Sequence, residues 1–87
     1  MPRVEKEICV KSSQGLHARP AALFVQTAVK YDSNLTVKKD GEAVNGKSIM
    51  GILMLGVQRN ASIILVADGE DAAALVAELE VFLSKDE

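Results

Sequence analysis

Apolar positions change their period several times along the chain, and each change marks the boundary of an element. Over residues 4–11, Val4, Ile8 and Val10 share one parity while Glu5, Glu7 and Lys11 take the other, with Lys6 the exception. That alternation predicts a half-buried strand. Residues 12–15 break it. From Pro20 the spacing turns helical: Ala21, Phe24, Val25 and Ala28 fall at i, i+3, i+4 and i+7, one apolar stripe of a helix ending near Tyr31. Asp32 and Ser33 make a turn, after which Leu35, Val37 and Lys39 alternate with Asn34, Thr36 and Lys38. Asp40-Gly41 is a strong two-residue hairpin signal before a short strand over residues 42–45.

Ser48 suits the N-cap of a short helix running to about Leu55, with Ile49, Ile52 and Leu53 as its inward face and Gly56 placed to end it. Residues 62–67 form a nearly continuous apolar run, as expected of a central strand covered in part on both sides. After Asp68-Gly69, the acids Glu70 and Asp71 suit the positive end of a last helix. Its stripe is Ala72, Leu75, Val76, Leu79 and either Phe82 or Leu83, with Lys85 near the negative end. The order is βαββαβα. Elements this short bury their apolar sides most simply as one sheet with helices on one face, a two-layer α+β sandwich.

Composition narrows the picture. At 87 residues the chain reads as one domain, residues 1–87. Such a chain buries only ~60% of its unfolded surface, so a core leaves little room for a deep catalytic pocket. Apolar residues make up 48% and charged residues 25%, which fits an ordinary globular domain and argues against disorder. No run approaches the ~18 apolar residues of a membrane span. The first ten residues carry Arg3, Glu5, Lys6 and Glu7, unlike a signal peptide, so the expected compartment is the cytoplasm. A net charge of −2 with one Tyr, two Phe and no Trp gives neither the attraction nor the stacking platforms for nucleic acid. The single Cys9 reads as a small buried hydrophobe, and one His with one Cys argues against a metal centre. No cofactor is implied.

The one histidine stands in Gly15-Leu16-His17-Ala18-Arg19-Pro20-Ala21. Proline in a first helical turn loses no hydrogen bond, because the amides there have no intrahelical partner. His17 therefore falls at or just before a helix start. The amides of Ala18 and Arg19 and the positive dipole end converge where an anion on His17 would sit, and the Arg19 guanidinium adds to them. An unprotonated imidazole is a competent nucleophile near neutral pH, and such surroundings favour that form and then the transferred phosphate. A lone histidine more often merely caps a helix or sits in solvent. Gly15, Arg19 and Pro20 around it change that balance.

GLHARPA, residues 15–21, resembles the phosphorylation-site signature of HPr, the histidine-containing phosphocarrier of the bacterial phosphoenolpyruvate-dependent sugar phosphotransferase system. Lys47-Ser48-Ile49-Met50-Gly51 resembles the regulatory serine region of the same family, and the likeness covers essentially the whole chain. It implies an antiparallel four-stranded sheet in the order 1-4-2-3 with three helices on one face, an open-faced sandwich. It also implies that phospho-enzyme I phosphorylates His17, on Nδ1, and that the group passes to a histidine of an enzyme IIA for sugar uptake. Arg19 matches the family's phosphate-stabilising arginine, and the Ala18 and Arg19 amides its anion site. Ser48 matches the serine modified by HPr kinase/phosphorylase, although N-capping alone explains a serine there.

With Ile49, Ile52 and Leu53 facing inward, Met50 and Met54 point outward with Gly51 between them. Exposed thioethers adapt to several partners, so Met50, Gly51 and Met54 join His17 and Arg19 as the expected docking patch. Such a shuttle is not itself an enzyme, and serial docking needs no dimer, so a monomer is expected. Arg59-Asn60-Ala61 stands where the family often has a glycine, and Asn60 is the residue most able to take the same left-handed turn. Two other readings stay open: a nitrogen-related or regulatory paralogue, and a small binding module whose His17 is only a cap. An acylphosphatase-type enzyme ranks last, because one Arg and no second catalytic group stand near the site.

Overall fold

In the computed structural model, which describes residues 2–85, the N-terminal alternating segment forms the edge strand β1 (Arg3–Cys9). It pairs antiparallel with β4 (Ser62–Asp68), Ile8 opposite Ile63 and Val4 opposite Ala67. On the other side of β4 lies β2 (Asn34–Lys39), with Val37 opposite Leu65, and β3 (Glu42–Asn45) completes the hairpin. The sheet order is β1-β4-β2-β3. Only one parity of each inner strand is buried: Ile63, Leu65 and Ala67 on β4, Leu35 and Val37 on β2. These side chains share a core with Phe24, Ile52, Leu75 and Leu79 from α1 (Ala18–Ala28), α2 (Ile49–Leu55) and α3 (Ala72–Ser84). All three helices therefore cover one face, and the fold is the open-faced α+β sandwich. On the bare face Ile64 and Val66 remain half-buried.

Lys6 breaks the apolar parity of β1 because its stem runs toward α3, where Nζ lies 2.7 Å from Glu80 Oε1. Both partners are about half exposed, so the pair contributes at most ~1 kcal/mol. Leu83, not Phe82, is the buried member of the last stripe, while Phe82 packs half-buried at its edge.

Three expectations change in the fold. First, α1 starts at Ala18 and ends at Ala28, short of Tyr31. Lys30 and Tyr31 amides donate to the Thr27 and Ala28 carbonyls, a tightening i→i−3 turn. That turn aims both side chains at α3: Lys30 Nζ lies 2.8 Å from Glu78 Oε2, and the Tyr31 hydroxyl donates to Glu78 Oε1. The Lys30 bond first, then the Tyr31 bond, holds the Glu78 carboxyl below its ordinary range, and the same Glu78 bond raises the Tyr31 phenol.

Second, Cys9 has the opposite parity to Ile8 and lies half-buried on the bare face, Sγ 3.6 Å from the Asn60 carbonyl oxygen.

Third, Ile49 and Leu53 are 43% and 36% exposed, so the inward residues of α2 are Ile52 and Leu55. At 100° per residue, Ile52, Leu55 and Gly51 occupy one arc of this short, nearly all-apolar helix, and Ile49, Leu53, Met50 and Met54 the other. Gly51 selects the rotation. A Cβ on it would meet the Asn45 carbonyl oxygen and Val44 Cβ, both at 3.3 Å, so only its bare face lets α2 lie this close to β3.

Asp71 stands at the start of α3 as expected, and its carboxylate, which makes no capping bond there, is used elsewhere. It accepts the Asp32 and Ser33 amides, each at 2.9 Å, and the Ser33 hydroxyl. The Ser33 hydroxyl first, then the Asp32 amide, holds this carboxyl below its ordinary value of 3.8. A lowered folded-state value means the bonds favour the charged form, so their stabilisation is complete above the unfolded value and disappears as pH falls through the folded one. The difference in urea midpoint between wild type and Asp71→Asn should therefore be full near neutrality and shrink below pH 3.8. A difference that stays constant with pH would remove this account.

Candidate functional site

The site is built from a turn that only glycine fits. Gly15 is buried with φ +60°, and a Cβ there would stand 2.3 Å from the Val57 carbonyl oxygen. Its amide donates to Ser12 at 3.0 Å, and the next amide, of Leu16, donates to that same Val57 carbonyl at 3.0 Å. Leu16 is 2% exposed, so the chain is anchored in the core one residue before the histidine. His17 then leaves the core in extended conformation, φ −75° and ψ −171°, as the N-cap of α1. Its carbonyl accepts the Ala21 amide at 2.8 Å, while its imidazole makes no capping bond and lies exposed.

The amides of Ala18 and Arg19 stand in the first turn, where no intrahelical acceptor exists, and Pro20 brings no amide to compete. Ala18 and Arg19 are exposed with His17. Backbone donors and the positive helix end thus lie next to one imidazole at the surface, with Arg19 two residues along the chain. The sequence had no local signal for Val57, whose carbonyl clamps this turn from 41 positions beyond Leu16.

Ser48 is the N-cap of α2, its Oγ accepting the Gly51 amide at 3.1 Å. Met50 and Met54 are 67% and 75% exposed, whereas Gly51 is turned toward β3 and half-buried. The outward apolar arc of α2 is therefore wider than the two methionines, since Ile49 and Leu53 belong to it. Leu23 on α1 is also exposed. Asn60 has φ +70°, and its amide donates to Val10 at 2.7 Å, so asparagine does take the left-handed turn expected of it. Among the described residues no group of three or more His, Cys, Asp or Glu is placed to hold a metal ion, and no helix is long and apolar enough to cross a membrane.

A surface histidine presented in this way on an open-faced sandwich defines the class of small phosphocarrier domains. The family model described as PTS HPr component phosphorylation site matches residues 4–85. The HPr-like protein Crh of Halalkalibacterium halodurans is 43% identical over 83 residues, 95% of this chain and 99% of its own. The crystal structure of the phosphocarrier protein HPr from Bacillus anthracis superposes with a TM-score of 0.93 at 38% identity, covering 97% of this chain and 100% of its own. Crh of Bacillus subtilis, solved as an intertwined dimer with a swapped domain, gives a TM-score of 0.77 at 40% identity over 95% of each chain. The chain belongs to the HPr family of phosphocarriers.

Proposed function

We propose that this chain, acting as one domain in the cytoplasm, is a relay member of the sugar phosphotransferase system. His17 takes a phosphoryl group from phospho-enzyme I and passes it to a histidine of an enzyme IIA. The observation that carries this reading is the exposed, uncommitted imidazole of His17 at the start of α1. In each transfer the P–N bond to the donor histidine breaks as the P–N bond to the acceptor forms, so little free energy is lost and the step reverses. The Arg19 guanidinium and the first amides of α1 hold the phosphoryl oxygens while His17 carries them.

Ser48 is the proposed regulatory position, modified from ATP by an HPr kinase/phosphorylase. A phosphate at an N-cap is compatible with the helix dipole, so it would change docking through ~−2 units of charge without unfolding α2. The same serine, with the similarity to Crh proteins, supports a second reading as a regulatory paralogue that answers to the serine kinase more than to sugar transport. The monomer expected from serial docking is not supported by the relatives, since the Crh of B. subtilis was solved as a dimer.

Incubation with enzyme I and labelled phosphoenolpyruvate tests the relay. Acid-labile label that then moves to an added enzyme IIA supports it. Label taken up only from ATP and the kinase, and lost in Ser48→Ala, supports the regulatory reading instead. Neither label leaves a binding module.

Docking is proposed to use Ile49, Met50, Leu53 and Met54 beside His17 and Arg19. Met50→Glu should weaken binding to enzyme I about tenfold, the range of a moderately important interface side chain, with unchanged thermal stability. Unchanged transfer kinetics in that variant would remove α2 from the interface.

A further inference from the structure

A cleft of about 440 Å³ opens beside His17 and shares Arg19 with the proposed carrier site. Its walls come from three places: the turn after β1, the first turns of α1 and the end of α3. Ser12, Ser13, Gln14, Arg19 and Lys85 are its polar lining residues, and Pro20, Leu23 and Phe82 its apolar ones. His17 is not among its lining residues, nor is any carboxylate among the described residues that line it. The walls are tied together before any ligand arrives, because the Lys11 amide donates to the Leu83 carbonyl at 2.9 Å and Gly15 is clamped against Val57. The Lys11 bond also engages one of the last carbonyls of α3, and the Ser84 hydroxyl engages another, that of Val81. Those bonds reduce the negative end of that helix where the cleft begins.

A guanidinium, an ammonium, a hydroxyl and an amide offer more donors than the two oxygens of a carboxylate accept, but suit the three outer oxygens of a phosphate. The volume lies at the small end of ligand pockets, and the apolar side would cover the body of such a molecule. We propose that this cleft binds a small organic phosphate monoester, its phosphate between Arg19 and Lys85 and its apolar body against Pro20, Leu23 and Phe82. Arg19 already lines the cleft and is also the proposed phosphate partner of His17, so an occupied cleft holds the guanidinium away from the carrier site and slows phosphorylation there.

Phenyl phosphate, inorganic phosphate and phenol, each titrated into the isotopically labelled unphosphorylated chain and followed by amide shifts, test the site. No relay enzyme is present, so failure of the phosphocarrier reading leaves this result unaffected. Phenyl phosphate should saturate, shift Ser12, Leu23, Phe82 and Lys85, and bind about tenfold more tightly than inorganic phosphate, the gain expected from covering an aromatic ring. Lys85→Gln and Leu23→Ser change exposed side chains, so both should fold normally, and each should weaken that binding severalfold. Equal affinity for the two phosphates with shifts confined to residues 17–20, shifts that never saturate, or full binding in both variants would overturn the proposal.

Discussion

His17→Ala should fold like the wild type and take up no phosphate from phosphoenolpyruvate and enzyme I, while Ser48 remains a substrate for phosphorylation from ATP. The expected stability change is small, within ~0.5 kcal/mol, because the imidazole is exposed and makes no capping bond. The loss of acceptor activity is complete, because the backbone donors of α1 and the Arg19 guanidinium can hold a phosphoryl group but cannot bond to its phosphorus. Acid lability separates the two modifications: a phosphoramidate on histidine is lost in acid, and a serine phosphate is not. Acid-labile label retained by His17→Ala would move the acceptor elsewhere and sink the relay mechanism.

Gly15→Ala should show the converse, a nearly normal set of reactive groups on a damaged scaffold. A non-glycine residue at φ +60° costs ~1–2 kcal/mol. The added Cβ also overlaps the Val57 carbonyl oxygen at 2.3 Å and approaches the Gln58 backbone at 2.9 Å. Backbone does not step aside as a flexible side chain does, so overpacking adds ~1–3 kcal/mol. The total of roughly 2–5 kcal/mol is a large part of a small domain's stability. At an m-value of ~1 kcal/mol/M, the urea midpoint should fall by roughly 2 M or more. Gly41→Ala is the control: φ is +84° but no atom lies within 4 Å of the added Cβ, so only the backbone strain remains. Equal losses in the two variants would mean that Val57 does not clamp the turn. Transfer to Gly15→Ala, measured where it is still folded, should be slowed, because Leu16 and His17 hang from that turn.

The pair separates chemistry from presentation, and the same division runs through what was legible in the sequence. Strand and helix periods placed β1, α1, β2 and α3, since each buries one side and period follows from which side is buried. The Asp40-Gly41 turn placed β3, the Ser48 cap and Gly56 placed α2, and a nearly continuous apolar run placed β4. Ser48 as a cap and Asn60 as a left-handed residue were readable because both depend on a few adjacent backbone groups. The rotation of α2 was not readable. Seven residues with apolar side chains nearly all round give no moment to follow, and the choice fell to Gly51 meeting β3. The second use of Asp71 was not readable either: it stands at its helix start as expected, but its carboxylate also accepts from Asp32 and Ser33, far away in sequence.

By itself, then, the sequence determined the order of the elements, the burial of one face of the sheet and a histidine at the start of a helix beside an arginine. Only the tertiary structure decided how firmly that histidine is held, which apolar residues of α2 are left outside, and that a cleft lies next to Arg19. Period, capping and turn chemistry act over three or four neighbouring residues and are written in the order of the chain. Clamps such as Gly15 on Val57, and cavities between a loop and two helix ends, arise from contacts across long sequence separations that exist only once the layers have packed.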